Sequence, residues 1–136
     1  MAQAPRRTID VEQGTDYSFS FIVKDSGGSP IDLGAESAEV RMRVKTDYSY
    51  GGITVLSASS TGTPNSYITI EPGGVTGKIQ VDLPATETST NFSLGQEVNN
   101  YVYDIEVTLT TTGIQRAYKG EFNVYKEITA PDSDFV

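Results

Sequence analysis

The chain has 136 residues, a length that suits one domain and allows a buried core. It holds no cysteine and no histidine, which excludes disulfides, thiolate metal centres and cysteine nucleophiles, and removes the commonest general base and transition-metal ligand. A formal net charge of −8 argues against nucleic acid or an anionic membrane as partner, because a surface that holds phosphates must supply Lys and Arg.

No apolar run approaches the ~20 residues of a membrane span. Arg6 and Arg7 are followed by no hydrophobic segment of the signal-peptide kind, so the expectation is synthesis in a cytosolic compartment. Residues 1–7 read as an N-terminal arm, residues 8–128 as the folded domain and residues 129–136 as a second, acidic arm.

Within the domain, Thr8 to Glu12 alternates weakly and reads as a short edge strand. Asp16 to Asp25 alternates clearly, with Tyr17, Phe19, Phe21 and Val23 on one face. The turn Asp25-Ser26-Gly27-Gly28-Ser29-Pro30 follows, its glycines allowing positive φ and its proline setting the exit. A third strand runs from about Ala38 to Lys45, with Val40, Met42 and Val44 inward and Arg41, Arg43 and Lys45 outward. Ile53 to Leu56 and Tyr67 to Ile70 are shorter strands, separated by a Ser/Thr/Gly-rich segment, Ser57 to Ser66, that reads as a projecting loop.

Lys78 to Leu83 resumes the alternation, and Pro84 to Thr88 suits a single helical turn. The strongest signal in the chain is Tyr101 to Thr110. Tyr101, Tyr103, Ile105, Val107 and Leu109 alternate with polar partners over ten residues, and Thr111-Thr112-Gly113 turns the chain into a returning strand from Ile114. That strand is expected to break at Gly120 and resume through Phe122 and Val124 to about Ile128. Short strands with frequent turns and no long helical pattern predict an all-β fold, an antiparallel β-sandwich of about seven to nine strands, with a closed barrel as the lesser alternative.

Few residues are equipped for chemistry. Asp104 and Glu106 share a strand face about 7 Å apart, which is the equipment of a glycosidase. A charged ladder is the stronger reading, because Arg41, Arg43 and Lys45 have the same spacing on the third strand. Asp25-Ser26-Gly27-Gly28 and Asp132-Ser133-Asp134 lack the spacing and the closing Glu of a calcium loop. The glycines before Lys78 lack the order of a phosphate-binding loop. Ser and Thr abound, but none has a base beside it that would make it a nucleophile. No catalytic, metal or cofactor-binding residue is therefore nominated. Tyr48 and Tyr50, in a Gly-flanked loop, are candidates for stacking on a sugar or anchoring an interface.

Three groups of residues carry a family resemblance. The first is Val11-Glu12-Gln13-Gly14-Thr15-Asp16-Tyr17-Ser18-Phe19, then Val23 to Leu33, then Val40-Arg41-Met42-Arg43. The second is Gly77-Lys78-Ile79-Gln80-Val81-Asp82-Leu83 with Tyr101 to Val107. The third is Gly113-Ile114-Gln115-Arg116 leading to Lys119-Gly120-Glu121-Phe122-Asn123-Val124. In order and spacing they resemble small virion proteins of tailed bacteriophages, over most of residues 8–128. The resemblance implies an immunoglobulin-like sandwich and a non-enzymatic structural role as an adaptor or assembly subunit of the tail or baseplate. Capsid (head) decoration is the nearest alternative, and a carbohydrate- or receptor-binding module a second.

The implied partners are other virion proteins and copies of the chain in a symmetric assembly, the implied location is the virion after synthesis in the host cytoplasm, and no cofactor is expected. Residues 47–66 and 88–100 are longer than the resemblance requires. With the two arms and the tyrosine loop as contact regions, the expected interface residues are Arg6, Arg7, Tyr48, Tyr50, Phe135 and Val136.

Overall fold

The computed structural model describes residues 6–49, 51–61, 66–90 and 97–126. Eight strands form among them: β1 (Ile9–Glu12), β2 (Tyr17–Ile22), β3 (Glu39–Lys45), β4 (Thr54–Ser59), β5 (Ile68–Ile70), β6 (Lys78–Leu83), β7 (Val98–Leu109) and β8 (Gly113–Tyr125). One short helix, α1 (Ala85–Thr90), follows Pro84. The strands lie in two sheets, one ordered β1-β8-β7-β3-β4 and the other β2-β6-β5. All neighbours are antiparallel except β1, which runs parallel to β8. The protein is an all-β, two-sheet sandwich.

Alternation explains the layering. On β7, Tyr101, Tyr103, Ile105, Val107 and Leu109 are all buried, as the period of two requires. Val40, Met42 and Val44 do the same on β3, and Phe19 and Phe21 on β2. Ile79, Val81 and Leu83 of β6 close the core from the smaller sheet. Aromatic rings link the layers: Phe21 of β2 meets Tyr118 of β8 edge-on at 4.9 Å between centroids, a geometry that favours the ring quadrupoles.

The expected break at Gly120 does not occur. β8 pairs with β7 from Gly113 to Tyr125, and Tyr103 opposes Gly120 in the ladder. The irregularity lies three residues earlier. The register shifts between Ile105 and Glu106, which oppose Tyr118 and Arg116 and leave Ala117 as the extra residue of a bulge. Glycine serves close approach at position 120 instead: a Cβ there would sit 2.3 Å from the Arg7 carbonyl oxygen. Gly74 is a second such point. Its φ is +70°, and an added Cβ would meet the Gly34 nitrogen at 2.2 Å.

Two further expectations are revised. β4 extends through Ser59, so the first part of the Ser57 to Ser66 segment is strand, while residues 62–65 lie outside the described residues. The helical turn exists and its first four residues are fastened twice to the β1–β2 turn. The Ala85 amide donates to Asp16 Oδ1 at 2.7 Å, and Thr88 Oγ1, fully buried, donates to the Thr15 carbonyl at 2.8 Å.

Candidate binding face

The outer face of the larger sheet gathers charge of both signs. β3 turns Glu39, Arg41, Arg43 and Lys45 outward, and β7 turns Val102, Asp104 and Glu106 outward. In register, Arg41 opposes Glu106 and Arg43 opposes Asp104. On the other side of β7, Glu106 opposes Arg116 and Asp104 opposes Lys119. Arg116 stands on the hairpin side of the bulge, where the register set by the turn places it opposite Glu106. Beyond the bulge the register slips by one, so Tyr118 opposes Ile105 and Lys119 joins the outer face opposite Asp104. Ala117 and Tyr118, consecutive in the chain, both pack inward at the bulge.

The expected ladder is correct in register and different in its contacts. Arg116 Nε sits 3.2 Å from Asp104 Oδ2, and its second terminal nitrogen lies 3.7 Å from Glu106 Oε1. Arg41 turns along its own strand to Glu39, at 2.7 Å. One guanidinium on β8 thus holds both β7 carboxylates, while Arg43 makes no ion pair with a described residue. Lys45 Nζ donates to the Ser49 carbonyl at 3.0 Å.

Between β3 and β7 this leaves an open groove of about 380 Å³. The loop after β3 closes one end. Asp47 anchors that loop by accepting from the Ser49 hydroxyl and amide, and those two hydrogen bonds hold its carboxyl below the ordinary aspartate range. Tyr48 then crosses β7, and its hydroxyl donates to the Gly120 carbonyl on β8 at 3.0 Å. Tyr48 borders the groove and is 54% exposed as a residue. Tyr50 lies outside the described residues, as do Phe135 and Val136.

Arg6 and Arg7 belong to the opposite margin of the sheet. Arg6 makes an isolated parallel bridge to Lys119, and the Arg7 amide donates to the Lys119 carbonyl at 3.0 Å. Arg7 also receives the Tyr103 hydroxyl on its carbonyl at 2.7 Å. Its guanidinium donates to the Ser20 carbonyl at 3.2 Å and lies 5.4 Å from the centre of the Phe19 ring. Arg7 is therefore joined to both sheets within its own subunit. Burial pushes the Tyr103 phenol well above the ordinary tyrosine range, so this hydroxyl remains a donor at any physiological pH.

Elsewhere the candidate loops resolve into turn chemistry. Asp25 Oδ1 accepts from the Gly27 and Ser29 amides at 2.9 and 3.0 Å, the pattern of an Asx turn. The glycine-rich stretch before Lys78 connects β5 to β6 as a hairpin. Among the described residues, no three His, Cys, Asp or Glu side chains cluster in a way that could hold a metal ion. No protein-family model and no curated protein matches this chain.

Proposed function

We propose that the protein is a non-enzymatic structural subunit of a tailed-bacteriophage virion, an adaptor fixed in the tail or baseplate region. The observation that carries this reading is the edge of β2, beside which no other described strand pairs. Six residues long, Tyr17–Ile22 contains neither charge nor proline, and among the described residues it pairs as a strand only with β6, its outward Ser20 carbonyl accepting from the Arg7 guanidinium at 3.2 Å. Edges are ordinarily blunted by charges, proline or a covering segment, and β1, at the same end of the larger sheet, carries Asp10 and Glu12. An edge guarded by one arginine contact suits a building block that accepts a strand from a neighbour, because main-chain hydrogen bonds then supply the affinity.

The family resemblance of residues 8–128 supports the virion setting. The strand order supports the immunoglobulin-like reading, since β8-β7-β3-β4 against β2-β6-β5 follows the division of strands in a variable-type domain. Asp104 and Glu106 stand on an open face, 31% and 39% exposed and bound to one arginine. A glycosidase acid instead occupies a dry pocket.

The test is mass spectrometry of intact virions beside purified tail-only and head-only fractions. Recovery with tails supports the adaptor reading, and recovery with heads alone transfers it to a capsid decoration protein. Absence from every particle fraction refutes it. Ser20→Pro, which removes an outward donor from an edge strand that tolerates proline, is expected to leave the monomer folded and abolish co-sedimentation.

A further inference from the structure

We infer that the groove between β3 and β7 is a binding site for an acidic saccharide, a sugar chain bearing uronate carboxylates. This inference stands apart from where the subunit sits in a particle, and it concerns a different surface from the β2 edge.

The first ground is charge placement. The chain carries net charge −8 and ten cationic side chains, of which Arg41, Arg43, Lys45, Arg116 and Lys119 project from this one face. Asp104 stands opposite Arg43 in the ladder yet leans to Arg116 on the far side. That leaves the Arg43 guanidinium, a planar fork matched to a carboxylate, on the groove wall without an ion-pair partner among the described residues.

The second ground is the mixture of functions around that guanidinium. Asp104 and Glu106 line the same groove with side chains 31% and 39% exposed. An acidic peptide would bring carboxylates to both signs of charge and meet repulsion along β7. A uronate brings one carboxylate for Arg43 and several hydroxyl donors for the β7 carboxylates. Tyr48 completes the arrangement. Its hydroxyl is tied to Gly120, so the ring of this half-exposed residue is held in place at the groove's end, and a fixed aromatic face packs on the C–H face of a pyranose at low entropic cost.

The experiment is an amide chemical-shift titration of the intact chain with an oligogalacturonide and an oligoglucuronide. A neutral galacto-oligosaccharide of equal length and an oligoglutamate are the comparators. Saturable shifts confined to β3, β7 and the Tyr48 loop are expected with at least one uronate, with affinity about tenfold or more above both comparators, the scale of one charge-assisted hydrogen bond. Arg43→Gln and Tyr48→Ala are each expected to weaken binding by about tenfold. Both residues lie at the surface, and preserved spectral dispersion shows that each variant folds; should Tyr48→Ala unfold, Arg43→Gln alone decides. The inference fails if neither uronate shifts the groove, if oligoglutamate binds equally well, or if Arg43→Gln binds as tightly as the parent.

Discussion

The hydroxyl of Tyr103 donates to the main-chain carbonyl of Arg7 across 2.7 Å, from a side chain that is only 1% exposed. This bond fixes the segment leading into β1 against the centre of the larger sheet, so β1 enters in parallel register beside β8. Tyr103→Phe keeps the ring and its edge-on contact with Phe122 while leaving that carbonyl without its partner. The expected cost is about 1–2 kcal/mol, read from urea denaturation, together with faster hydrogen exchange at the amides of β1. Unchanged exchange there would show that the Tyr103 bond does not hold the segment.

Gly120 makes that approach possible, and its replacement should be felt at the same place. In Gly120→Ala the new methyl would lie 2.3 Å from the Arg7 oxygen, so the Arg7 segment must move. Overpacking of this kind costs about 1–3 kcal/mol. The diagnostic is coupling. The double variant with Tyr103→Phe should be less destabilised than the sum of the two, because both changes release one contact.

The charged face contributes little to stability. Arg116 is half exposed and its two carboxylates are also open to water, so screening limits each pair to about 0.2–1 kcal/mol. Arg116→Gln should shift the denaturation midpoint slightly, and less still in high salt. A loss above about 2 kcal/mol would contradict the surface-pair account.

The core behaves otherwise. Phe122 has no exposed surface and packs edge-on against Tyr103 at 6.4 Å between centroids. Phe122→Ala removes a ring between two sheets that can relax only partly, at an expected cost of about 3–5 kcal/mol. Differential scanning calorimetry should show this as a large fall in the melting temperature.

Acid should destabilise the fold. Glu36 is held below the ordinary range by the Thr111 amide and hydroxyl, and Asp82 by the Ser18 hydroxyl and the Gln80 amide. A carboxylate whose folded-state value is depressed contributes stability above its unfolded value and loses it as pH falls through the folded one. Melting temperature should therefore decline as pH drops below about 4, the ordinary carboxylate range. Glu36→Gln should flatten part of that decline. An equally steep decline in Glu36→Gln would remove Glu36 from the explanation.

Taken by itself, the sequence determined the layers. Tyr101 to Leu109, Val40 to Val44 and Ile79 to Leu83 declare their buried faces through a period of two, because strand side chains alternate whatever the strand's partner is. It also specified the outward placement of Arg41, Arg43, Asp104 and Glu106, and the β7–β8 hairpin. Tertiary structure decided which groups meet. Arg116 takes both β7 carboxylates from β3's cations, the bulge at Ala117 turns Lys119 outward opposite Asp104, and no local propensity announces a one-residue slip between strands. Gly120 looked like a break because glycine weakens strands, yet its role is room for Arg7, more than a hundred positions earlier in the chain. Alternation is a local property of the backbone, whereas close approach and charge pairing depend on distances that exist only once distant segments have packed.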